Sequence, residues 1–403
     1  MTSTDVVIRA TRWRDAGTTR NATIVGVVGF VLCVVGVITE PRQAFASYLF
    51  AYVTVLTIVL GALIQVMTSH VTGARWFTVL RRLTLVVSAS LPALAVMLLP
   101  ILVSVHTLYP WAHPWTLSPE AQKLAMHRER WFNVPFFVVR AVIYVIVFAA
   151  CGEMLRRWAT QEDDMANAAS VVATLQRQRR LSALGLVLVG LGLTFVAFDW
   201  LMPLDPLWYS TVYGVYVFAG GFVAALGLLA FVAYISVRGG GALSGTVTAD
   251  HFGALGKLML TFVIFWAYIA FSQFLIIWIG DIPADSSWYV IRAAGSWGTL
   301  GIVVVIGQFA IPFILLLSRA LKRRPAVLGA IGAWLVIMHI LDVYWLVLPA
   351  FHPAGVHASW LDVAALLMVG GFATAAAAWR ARGHLSLPVR DPYLGESVRY
   401  VEP

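Results

Sequence analysis

Residues Arg177–Gly220 read RQRRLSALGLVLVGLGLTFVAFDWLMPLDPLWYSTVYGVYVFAG. Three arginines, Arg177, Arg179 and Arg180, lead into about twenty apolar residues, the length an α-helix needs to cross a bilayer. The run closes on an acidic and aromatic corner, Asp199, Trp200, Asp205, Trp208 and Tyr209, and a second apolar run then turns back. Asp199 lies about 18 residues beyond Leu181, roughly 27 Å along a helix at 1.5 Å per residue. That distance places the carboxyl at the edge of the hydrocarbon farthest from the arginines. Tryptophans at such an edge are ordinary anchors, whereas an acid just inside a hydrophobic helix is costly and usually kept for function.

The same alternation runs through the whole chain. Of its 403 residues 60% are apolar and 12% charged, about half the charge of a soluble domain. With a mean hydropathy of +0.84, this is an all-α, polytopic membrane protein without room for a separate soluble domain. Ten spans are predicted, over 22–38, 46–68, 83–105, 134–155, 181–202, 209–237, 255–279, 296–317, 327–348 and 361–378. They form one transmembrane domain over 22–380, between tails at 1–21 and 381–403. The outer segment 106–131 is rich in Pro, His and Trp, and 119–130 predicts a surface helix within it. The segment 156–180 reads as a polar inner loop, and Glu153 just before it pairs locally with Arg156 and Arg157 at i+3 and i+4.

Ten spans bring both termini to one side. Of the 28 Lys and Arg, only Arg42, Lys123, Arg128, Arg130, Arg140 and Arg292 fall towards the other side. By the positive-inside rule both termini are cytoplasmic, and the net charge of +9 belongs to inner loops rather than to a nucleic-acid surface. Cys33 and Cys151 sit singly in apolar runs, so neither a disulfide framework nor a CxxC site is indicated. P-loop, Rossmann and HExxH signatures are missing. Two b-type haems need four histidines at two depths, and only His106 and His339 are suitably placed, both near the outer side.

The polar residues within spans therefore carry whatever chemistry the chain has. His106 ends span three, Arg140 lies about seven residues into span four, and Asp199 closes span five. Gln273 lies near the outer end of span seven, and His339 and Asp342, at i and i+3, share a face of span nine. Such groups at comparable depth can neutralise one another as structural ion pairs, or pass protons, since His titrates near neutral pH. Lys257, a few residues into span seven, is either a stem snorkelling to the interface or an inlet for cytoplasmic protons. Prolines 92, 100, 135, 203 and 312 lie in or beside spans, where they kink helices or are simply tolerated.

Six segments carry a resemblance. HVTGARWFTVLRR (His70–Arg82), LPILVSVHTLYPWAHP (Leu99–Pro114), NVPFFVVRAVIYVIVF (Asn133–Phe148), LTFVAFDWLMPLDPLWYSTVYG (Leu193–Gly214), LGKLMLTFVIFWAYIAFSQFLIIWIGDIP (Leu255–Pro283) and HILDVYWLVLPAF (His339–Phe351) follow one another over spans two to nine. In that order they resemble the ActF-type membrane subunit of bacterial alternative complex III, related to NrfD and polysulfide-reductase anchors. The resemblance implies two four-helix bundles, over about 46–202 and 209–348, with spans one and ten flanking them. It implies a subunit of a quinol:cytochrome c (or other acceptor) oxidoreductase of the respiratory chain that supports assembly and offers a proton path. Carried over by motif, the path residues are His106, Arg140, Asp199, Lys257, Gln273, His339 and Asp342. Haem c and iron–sulfur clusters would sit in partner subunits, with quinone as a further ligand. The implied partners are an NrfD-like quinol-binding paralogue, an iron–sulfur protein, multihaem and monohaem cytochromes c, and a terminal oxidase. A solute or ion transporter and a purely structural anchor are the rival readings. A transporter should show matched midplane helix breaks in its two halves, and none stand out.

Overall fold

The computed structural model describes residues 11–402 except Arg14, Ala16 and Ala166, so residues 1–10 of the N-terminal tail expected over 1–21 lie outside the described residues. Among the described residues ten helices are long and apolar enough to cross a membrane. Spans one to five are Thr18–Thr39, Pro41–Thr72, Arg75–Val103, Val134–Asp164 and Ala168–Leu204. Spans six to ten are Tyr213–Gly240, Ala249–Gly280, Gly295–Leu317, Pro325–Ala350 and Trp360–Ala381. Spans two to five pack as one bundle and spans six to nine as another, joined along spans two and six. Span two is the axis of the assembly, with nearly its whole apolar window buried. Gly61 and Gly221 make the joint possible: a Cβ on Gly61 would lie 2.9 Å from the Gly221 carbonyl oxygen. Small residues at such crossings let backbones approach where lipid gives no hydrophobic drive. Spans one and ten pair with each other and lie against span two.

Two expectations change. The predicted inner loop 156–180 is mostly helix, because span four runs on through Gln161 and span five begins at Ala168. Its charged side chains find partners on the helices themselves: Glu153 takes Arg156 and Arg157, as the spacing suggested, and also Arg380 of span ten. Span three is not one helix but a chain of short ones, Thr78–Ser88, Leu91–Val96 and Leu99–Val103, the last two each beginning with a proline at its second residue. Proline removes a donor and frees carbonyls. The breaks between the short helices leave further carbonyls without a backbone donor, and the hydroxyls of Tyr52 and Tyr48 on span two take two of these, donating to Leu94 O at 2.9 Å and to Met97 O at 2.5 Å.

The surface helix forms over Pro119–His127, started by the Ser118 side chain. A second one, Pro283–Ala293, joins spans seven and eight and was not foreseen. Both ends of the described chain lie together, since Trp13 N donates to His384 O at 2.9 Å. The C-terminal residues are docked as a strap across the same end. Asp391 and Glu396 bind Arg81 and Arg75 of the first bundle, whereas Glu402 binds Lys257 and Arg323 of the second.

Candidate functional site

Four of the expected residues fall into two buried polar clusters, one per bundle. In the first, Asp199 occupies a π-turn, Ala197–Leu201, that widens the end of span five. Such turns mark local rearrangement of the helical ladder and occur often at functional positions. Its carboxylate receives Arg140 Nε at 2.8 Å and Nη2 at 3.0 Å, Tyr144 Oη at 2.8 Å and Trp131 Nε1 at 2.9 Å. Arg140 also donates to Trp131 O at 2.8 Å and lies over the Trp131 and Phe136 rings at 4.3 and 4.4 Å. Two forked bonds with all remaining lone pairs occupied satisfy a buried ion pair fully.

In the second bundle, Asp342 is 1% exposed and has no comparable partner. Its Oδ1 accepts from Tyr216 Oη of span six at 2.5 Å. Among the described residues no Lys, Arg or His nitrogen comes within 4.0 Å of its oxygens. His339, one turn away on the same face, meets Thr57 Oγ1 of span two at 2.9 Å through Nε2. The Thr57 hydroxyl has Val53 O at 2.8 Å and Thr54 O at 3.0 Å as acceptors, so with its proton there the imidazole donates from Nε2. Nδ1 then carries the free lone pair, and it is buried without a hydrogen-bond partner. Gly220 keeps this space open: a Cβ would lie 3.1 Å from Asp342 Oδ2 and 3.2 Å from His339 Nδ1. Trp266, on a ring 5.8 Å from Tyr216, turns its Nε1 towards the Asp342 carboxyl, and both amide atoms of Gln308 are buried and unpartnered. Gln308 lies in a second π-turn, Ile306–Ala310, beside the Met338 that precedes His339.

From Asp342 an aromatic column leads to the end of the bundle away from the termini. Tyr216 stacks on Tyr213 at 6.4 Å, and Tyr213 lies 6.3 Å from Trp288, which lies 4.8 Å from Tyr289. The Tyr289 hydroxyl accepts from Gln273 Nε2 at 3.0 Å, and Gln273 Oε1 accepts from Ser210 at 3.2 Å. Burial pushes the Tyr289 phenol up to about 12, against the Gln273 bond and the nearby Arg292. Arg292 itself is 4% exposed. It lies 3.6 Å over the Trp288 ring and donates to the carbonyls of Trp288, Trp345 and Leu346 at 2.8–3.2 Å. Burial draws it down to about 10.

The seven expected residues thus do not form one cluster. Arg140 joins Asp199, His339 joins Asp342, and Gln273 stands at the end of the column from Asp342. His106 is exposed and meets His113 at 5.2 Å, apart from both clusters. Lys257 lies at the opposite end, half exposed, and binds Glu402 at 3.0 Å. Sequence reasoning passed over Tyr216, Gly220, Thr57, Gln308 and Arg292. Tyr216 and Gly220 share a helix face at i and i+4, but only the register against span nine reveals what they face. No protein-family model matches the chain, and no curated protein matches it.

Proposed function

We propose that the chain is a multi-pass subunit of a bacterial cytoplasmic-membrane, quinol-oxidising complex of the alternative complex III type, and that its second bundle carries protons. Both termini face the cytoplasm, as the distribution of Lys and Arg supports. One observation supports the proton role above others. Asp342 is a carboxyl without a counter-cation, beside the free Nδ1 of His339, at the foot of a column through Tyr216, Tyr213, Tyr289 and Gln273. Groups that bind and release protons deep in a membrane are of this kind. Arg140 and Asp199 hold the first bundle together, so within the seven residues the proton role narrows to His339, Asp342 and Gln273. Lys257 at the cytoplasmic end is tied to Glu402, which makes it a fastening of the strap rather than an open inlet. The chain supplies no redox centre of its own in this reading; haem c and iron–sulfur clusters belong to partners, and the quinol site to the NrfD-like paralogue.

The test is purification of the full chain in mild detergent, with mass spectrometry and a visible spectrum of the product. Co-purified c-type cytochromes and an iron–sulfur protein are the expected result. A colourless, stably folded chain without partners would overturn the complex and favour a transporter.

A further inference from the structure

The seam between spans three and ten has two adjoining features. At the end where the termini lie, Arg82, Arg156, Arg380, His384, Thr160 and Trp13 border a cleft of about 30 Å³. By the measure in which one water needs roughly 10–15 Å³, it admits two water-sized atoms. Three guanidiniums, Arg82, Arg156 and Arg380, line it, held by two carboxylates, Asp163 and Glu153, the second of which also takes the exposed Arg157. Arg82 uses both terminal nitrogens on Asp163, Leu385 O and Ala159 O, yet its Nε–H is buried without a partner. Arg380 Nε is in the same state. His384 is kept below the usual imidazole value by burial and then by Arg156, so positive charge already crowds the spot.

The second feature continues the first along the same two helices. The cleft is bordered by Leu85, Val86 and Ala89 of span three and by Arg380 and Ala381 of span ten. The next residues along each, Ala93, Val96 and Met97, and Trp379, Ala376, Ala375 and Phe372, line an apolar groove of about 560 Å³. From Arg380 to Phe372 the groove runs roughly 12 Å into hydrocarbon depth at 1.5 Å per residue. A basic cleft at a bilayer surface, continuous with an apolar groove between spans, has the polarity of a lipid: anionic head, apolar tail.

We infer that this seam binds one anionic phospholipid. Its phosphodiester offers two unbridged, charged oxygens to the cleft, where the lining Arg82, Arg156 and Arg380 donate, and one acyl chain lies along Phe372–Trp379. The headgroup charge offsets the excess of guanidinium over carboxylate. The same cleft chemistry would take free phosphate, which has no use for the groove.

The test uses the full chain, delipidated in detergent and titrated with phosphatidylglycerol, phosphatidylcholine or inorganic phosphate, with melting temperature and retained lipid as readouts. Phosphatidylglycerol is expected to bind at least about tenfold more tightly than phosphatidylcholine, about 1.4 kcal/mol, because both carry the phosphodiester but the choline cation cancels its charge beside the arginines. Arg156→Gln should remove that preference while leaving the melting temperature of the lipid-free chain unchanged, because Glu153 keeps Arg157 and Arg380. Ala376→Trp, which fills the groove, should weaken both lipids equally. Arg177→Gln, exposed elsewhere on the same surface, should change nothing. Equal affinity for the two lipids overturns the inference, as does a preference that survives Arg156→Gln. Inorganic phosphate that reproduces the whole stabilisation reduces the site to a free-anion cleft.

Discussion

Towards the end away from the termini each bundle buries an aspartate and an arginine, and the two bundles arrange them oppositely. In the first, Arg140 and Asp199 are joined by two hydrogen bonds and closed off by Tyr144 and Trp131. In the second, Arg292 spends its donors on three backbone carbonyls and a tryptophan face, and Asp342 is left with a tyrosine hydroxyl. The same residue types therefore serve different ends. A joined pair is fixed in charge and holds two helices in register. A carboxyl whose cation is engaged elsewhere can change its charge without breaking a helix contact, which suits it to handling protons.

This contrast can be broken most directly in the first bundle. Arg140→Met strands the Asp199 carboxylate, and we expect a loss of about 3–5 kcal/mol, seen as a lower melting temperature in detergent. Arg140→Met combined with Asp199→Leu should recover most of the loss, since apolar replacement of a whole buried pair is often neutral. A single variant that melts like the wild type would show that the pair is not structural. Arg292→Met comes next. It leaves carbonyls at the end of span nine without donors, and about 1–3 kcal/mol should be lost without effect on the first bundle.

Tyr216→Phe sharpens the comparison from the other side. Removing one hydrogen bond should cost about 1 kcal/mol of stability, whereas proton transfer along the column should fall severalfold. Stability lost to the extent expected for Arg140→Met would make the second cluster structural as well. Asp342→Asn should be the mildest for the fold, within about 1 kcal/mol, because the amide oxygen still accepts from Tyr216.

The count of spans, their order and the shared side of the termini were legible in the chain, because a bilayer requires long apolar runs and the arginines mark their ends. So were His339 and Asp342 as a pair, since i and i+3 share a helix face whatever surrounds them. Arg140 and Asp199 were each visible, but their union was one of two readings open to the sequence, because it depends on how spans four and five are rotated. The solitary state of Asp342 was not legible, since it follows from Gly220, Tyr216 and Arg292 on three other elements. The C-terminal segment read only as a tail. Its three acids, Asp391, Glu396 and Glu402, gain meaning once Arg81, Arg75 and Lys257 are brought to one surface.

Proton release measures the central contrast most directly. The full chain with its co-purified partners is reconstituted in vesicles, and quinol-driven proton release per electron is read with a pH-sensitive dye. We expect Asp342→Asn to lower that yield at least severalfold at an unchanged melting temperature, and the double Arg140→Met, Asp199→Leu variant to keep the wild-type yield once folded. Full proton yield in Asp342→Asn, or its loss only in the folded double variant, would contradict the assignment and move the proton path to the first bundle.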